Sequence, residues 1–190
     1  MRNTLSRVIA LVGLVMLCIA GPNKSYAQKH PMDAFFGLFS GVVAVMGEAD
    51  TSTREVQVHI YPDDDDDENF LIDWTTVIHR ETGGDKEASY SIHFAPSERK
   101  DIYSSAMRKN MFGNWVPLNP LKGDPYVWAR LKNNTLTVYA MIITDDGGYE
   151  MQQYDRTLRD DGHMKLVFTR IRNGEALRSI EGLLTRVDDE

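Results

Sequence analysis

Tyr154 and Arg156 stand two residues apart in a segment of alternating character, so on a β-strand both side chains leave the same face. Turned into an enclosed space, the guanidinium would meet a carboxylate through two parallel hydrogen bonds, and the phenol would add one neutral donor. The chemistry suggested is capture of an organic acid. The plainer reading is that both groups face solvent or pair with Glu150 or Asp155, because period two does not say which face is inside. Tyr139, Arg130, Gln152, His59 and His93 are the other polar strand residues that would line such a space.

Nucleophilic catalysis finds little support. Ser89, Ser91 and His93 share a strand face, but same-face neighbours stand about 7 Å apart along the backbone, too far for the direct hydrogen bond that activates a serine. No Gly-x-Ser-x-Gly elbow is present. The acidic run Asp63 to Glu68 lacks the glycine and the alternate ligand spacing of a calcium loop and reads as a solvated hairpin loop. The five histidines, at 30, 59, 79, 93 and 163, have no zinc or haem spacing, and no glycine-rich phosphate loop occurs. No catalytic residue, metal ligand or cofactor is assigned, and the reading leans against an enzyme.

The elements that must position these residues start after an expected leader. Arg2 and Arg7 precede 13 uncharged residues, Val8 to Ala20, and Ser25-Tyr26-Ala27 offers a small-x-small site, so cleavage before Gln28 is expected. Thirteen apolar residues are short of the roughly 20 that span a bilayer as a helix. Lipid attachment at Cys18 is disfavoured by the bulky Leu17 before it. Losing residues 1–27 removes three basic groups and no acidic one, leaving 18 basic against 28 acidic residues, a net charge of −10 and no cysteine. Such a charge repels nucleic acid and anionic membrane surfaces alike. Residues 28–190 are long enough to bury a core without disulfides, and the expected location is periplasmic or extracellular.

Within 28–190 the turn chemistry is regular. Asn133-Asn134, Asp146-Gly147, Asp161-Gly162 and Asn173-Gly174 recur at spacings of 13, 15 and 12 residues, which predicts strands of about ten residues joined by two-residue turns. Earlier strands are expected at Leu38 to Met46, Thr53 to Tyr61, Asn69 to His79, Glu87 to Ala95, near Tyr103 to Phe112, and at Tyr126 to Leu131. Glu175 to Val187 is ambiguous, since Leu177, Ile180, Leu183 and Leu184 also fit a helical stripe. Gly113 to Pro125, with Pro117, Pro120 and Pro125, reads as an irregular loop, either a cap on the core or a lid that would bring Trp115 to a ligand. The expected fold is all-β: an up-and-down antiparallel meander of about 8–10 strands closing into a barrel, with a short N-terminal helix allowed.

Phe36-Gly37-Leu38-Phe39 resembles the F-G-x-W opening of the first strand in lipocalins and fatty-acid-binding proteins, the calycin superfamily, with Phe39 in place of the tryptophan. The resemblance implies a cup-shaped barrel for a hydrophobic small molecule, with a basic residue of the last strand, Arg186 or Arg178, packed across Phe39. Fatty-acid-binding proteins hold a carboxylate with an Arg-x-Tyr pair, to which Tyr154 and Arg156 are similar in reversed order. The leading expectation is a secreted barrel binding a small acyl or isoprenoid-like ligand through Tyr154, Arg156, Tyr139, Arg130 and Trp115. The alternatives are a cell-envelope interaction module with a filled core, and a small barrel lyase, cyclase or isomerase. A membrane-embedded barrel is disfavoured by basic residues such as Arg130, Lys132 and Lys165 in the strands.

Overall fold

The computed structural model describes residues 31–46, 53–79, 83–105, 107–109 and 115–187, giving only the backbone path for 44–46, 107–109 and 115–117. The expected leader, 1–27, lies outside the described residues. Among the described residues twelve strands follow a 3₁₀ turn, Asp33–Phe35: β1 Gly37–Met46, β2 Arg54–Pro62, β3 Phe70–Ile78, β4 Lys86–Pro96, β5 Ile102–Ser105, β6 Met107–Lys109, β7 Trp115–Pro117, β8 Tyr126–Lys132, β9 Thr135–Ile143, β10 Tyr149–Leu158, β11 Met164–Arg172 and β12 Glu175–Val187; a second such turn, Pro120–Lys122, precedes β8. Ten of them form a closed antiparallel barrel in which each pairs with the next and β12 returns to β1, while β6 and β7 make a separate hairpin.

Alternation in the chain becomes alternation across the wall. On β2 Val56, Val58 and Ile60 are buried while Glu55, Gln57 and His59 are exposed. The ambiguous final segment is a strand because both its edges are claimed, by β11 and by β1. Its helical stripe is divided by the pleat: Ile180 and Leu184 are buried, whereas Leu177 and Leu183 are exposed.

The turn expectations hold unevenly. Asn133 and Asn173 take positive φ, 53° and 49°, in tight turns between paired strands. The two Asp-Gly turns, expected to span two residues, sit instead in five-residue loops, 144–148 and 159–163. In each a four-residue turn is closed by a glycine at positive φ, Gly147 or Gly162, and the Asp carboxylate accepts a backbone N–H two residues on. The proline-rich segment also departs from a plain loop. Trp115–Pro117 pairs with Met107–Lys109, and Pro117 is tolerated as the last residue of β7.

One end of the barrel is solid. Phe70 stacks on Phe94 with centroids 5.2 Å apart and meets Tyr103 edge-on at 5.0 Å. Met32 and Phe35, from the 3₁₀ turn, are buried under this end with Phe39, Met164 and Leu184. Arg186 fastens the arrangement: its guanidinium lies 4.5 Å from the Phe39 ring centroid, donates to the Ala34 carbonyl at 2.9 Å, and also donates to the Phe36 carbonyl. Gly37, at φ 133°, is the residue that lets it pass, because a Cβ there would collide with the Arg186 guanidinium. No helix among the described residues is long and apolar enough to cross a membrane.

Candidate functional site

The opposite half of the barrel is not filled by side chains. A cavity of about 170 Å³ lies there, walled by apolar residues that include Val56, Trp74, Leu166, Phe168 and Ile180, with Arg54, Tyr154 and Arg156 as its main polar groups. One water needs roughly 10–15 Å³ and a drug-sized ligand fills about 300–1,000 Å³, so the space suits a small or slender molecule. The loops 144–148 and 173–174 lie at this end with the start of β2 and the end of β3, and it is the mouth. Tyr90, more than half exposed, stands at its rim. Beside it β4 meets β5 only through Ala95 and Pro96, so the wall is thinnest there among the described residues.

Arg156 sits at the cavity floor with 1% of its surface exposed, the bulkiest fully buried side chain among the described residues. Its cross-strand neighbours on the same face, Leu136 and Leu166, offer no polar group. Its Nε and Nη1 are buried with no hydrogen-bond partner. The guanidinium rests instead against two rings, 5.3 Å from the centroid of Trp74 and 5.5 Å from that of Tyr154. Burial pulls its pKa down to about 10, a shift opposed by Tyr154 and Asp155, so it stays protonated at neutral pH. A buried charge lacking its counter-ion costs about 3–5 kcal/mol.

Tyr154 is the second polar group at the floor. Burial raises its phenol to about 12, so it stays neutral. Its hydroxyl donates to Gln152 Oε1 at 3.0 Å, Gln152 Nε2 donates to Glu150 Oε1 at 2.9 Å, and Arg170 Nη2 donates to Glu150 Oε2 at 2.5 Å. The inner face of β10 therefore carries a chain of hydrogen bonds from the mouth to the floor. Tyr154 contributes wall area and a ring against Arg156, while its proton is already engaged.

The other residues singled out in the sequence fall elsewhere. Tyr139 pairs with Trp128 and Gln153 on the outward face and stacks on Trp128 at 4.8 Å. Arg130 is exposed on the same outer side of β8. Neither reaches the cavity, because each is one position out of phase with Val138 and Ala129, which point inward. Trp115 lies on β7, and its side chain is outside the described residues. His59 is exposed and stacks on Tyr61, and His93 bonds Asp63 Oδ2 at 2.6 Å. His79 lies between Glu55 and Asp85, and His163 bonds in the 159–163 loop. None of these four histidines lines the cavity.

Residues not anticipated at the site are Arg54, Trp74, Glu150 and Arg170. A signal for two of them was present: Arg54 heads the Val56, Val58, Ile60 face, and Trp74 shares a face with Phe70 and Ile72. Arg170 required the pairing of β10 with β11, which sets it across from Gln152. Fold and cavity together define a closed ten-stranded up-and-down barrel with a half-open interior and a buried cation. No protein-family model and no curated protein matches the chain.

Proposed function

We propose that the protein binds a small amphipathic organic acid, with the acid group on Arg156 and the apolar body against Trp74, Leu166, Phe168 and Ile180. The observation that carries this reading is the fully buried Arg156 guanidinium, two of whose nitrogens have no partner. A bound carboxylate supplies the missing counter-ion and an acceptor for a buried donor of the guanidinium. The calycin-like resemblance points the same way, and the packing of Arg186 across Phe39 supports it. An interaction module with a filled core is less well supported, since the mouth half of the interior is empty. The leader-like residues 1–27 support a periplasmic or extracellular setting for this binding.

The test is native mass spectrometry of gently purified protein, followed by organic extraction and calorimetric titration with straight-chain carboxylic acids. A co-purifying acid at one per chain, or saturable binding of the acids that is lost in Arg156→Leu, supports the proposal. Acid binding that survives Arg156→Leu removes it, as does the absence of binding by every acid tried.

A further inference from the structure

The cavity has a second pole of positive charge. Arg54 lines it from the first position of β2, at the mouth, and is 9% exposed. Arg170 and Arg178 face each other across β11 and β12 in phase with the inward-pointing Phe168 and Ile180, so they extend the same basic rim. Arg170 is held by Glu150, and Arg54 and Arg178 each keep an interaction within the chain. A guanidinium carries five N–H donors, more than one carboxylate takes up. Among the described residues none that lines the cavity is acidic, and Glu150, beside Arg170, is the acid nearest to it on the inner face of β10. In a chain of net charge −7 the described lining residues are thus cationic rather than anionic.

The two poles are separated along the barrel axis. Arg156 pairs across the sheet with Leu166, Leu166 with Gly182, Gly182 with Val43, and Val43 with Arg54. Four strand steps of about 4.8 Å on a wall tilted by about 40° carry that row roughly 12 Å up the axis. Arg156 lies near the closed end of β10, and Arg54 opens β2 at the mouth, so the row climbs toward the opening. Between them the wall is apolar.

We propose that the preferred ligand is a diacid, an apolar spacer with an anionic group at each end, the inner group on Arg156 and the outer one on Arg54 at the rim. This rests on the acid-binding reading above and adds the second anionic group. A monoacid would satisfy only the floor and leave the basic rim facing water.

The test is calorimetric titration of the native protein with hexanedioate, octanedioate and decanedioate beside hexanoate, octanoate and decanoate at fixed low salt. The best diacid is expected to bind about tenfold more tightly than the monoacid of equal length, with an advantage that shrinks as salt screens the rim. In Arg54→Gln that advantage disappears, the diacid falling to the affinity that the monoacid of equal length shows in the same variant. Equal affinity for monoacid and diacid in the native protein overturns the diacid inference and leaves acid binding intact. So does a diacid advantage that persists in Arg54→Gln. Binding of neither series defeats both readings, and the native comparison decides the matter even if Arg54→Gln does not fold.

Discussion

Arg186 and Phe39 are cross-strand partners that join the last strand to the first, with the guanidinium 4.5 Å from the ring centroid. The same side chain donates to the Ala34 and Phe36 carbonyls, so one residue ties the barrel seam and the 3₁₀ plug together. Replacing Arg186 with Met keeps much of the stem but loses the ring contact and both charged donors. We expect a loss of about 2–3 kcal/mol, read as a lower urea midpoint with an unchanged slope. Arg186→Lys should recover less than half of it, because an ammonium cannot span two carbonyls and a ring in one plane. An unchanged midpoint in Arg186→Met would show the seam to be self-sufficient.

Arg156 predicts the opposite sign. Arg156→Leu removes a buried charge with no counter-ion and puts an apolar group among Leu136, Leu166 and Trp74. The ligand-free variant should be more stable than the parent by about 1–3 kcal/mol, with a higher Tm, while acid binding is lost. A residue kept for packing alone would show the reverse, a variant that is less stable. Thermal unfolding with and without a straight-chain acid separates the two outcomes.

Glu150 supplies a pH dependence. Its hydrogen bond from Arg170 holds its pKa below the usual carboxylate range, against the opposing effect of burial. The folded pKa is lower than the unfolded one, so the stabilisation is complete above the unfolded value and is lost as pH falls through the folded value. Urea midpoints compared between neutral pH and about pH 3 should show the parent converging on Glu150→Gln as the carboxylate protonates. A constant gap between the two proteins across that range would mean that the Glu150 charge contributes nothing.

Processing of the N-terminus is tested by intact mass. Protein recovered from the exported fraction should begin at Gln28, and Ala27→Leu should leave the precursor uncleaved, since a bulky residue at the last leader position blocks the small-x-small site. A mature mass that still includes residues 1–27 would contradict the leader assignment.

The meander was legible because period two survives in strands whose two faces meet different solvents. Val56, Val58 and Ile60 against Glu55, Gln57 and His59 is the clearest case. Asn133 and Asn173 mark tight turns because the short carboxamide side chain of Asn hydrogen-bonds locally and tolerates positive φ. The Asp-Gly pairs close loops longer than the expected two residues, since a glycine at positive φ closes a wider turn as readily as a two-residue one. The order Tyr154 and Arg156 said that the two share a face, and the same rule gave no means of excluding Tyr139 and Arg130 from the inside.

By itself, then, the sequence determined the strand period, the turn positions and the pairing of sequential neighbours, all of which follow from forces acting over a few residues. Closure of β12 on β1, the choice of the inward face and the union of Arg54, Trp74 and Arg156 around one cavity were decided only in the tertiary structure. Alternation is symmetric under exchange of faces, and that symmetry breaks only when distant strands meet and one side of the sheet loses its water.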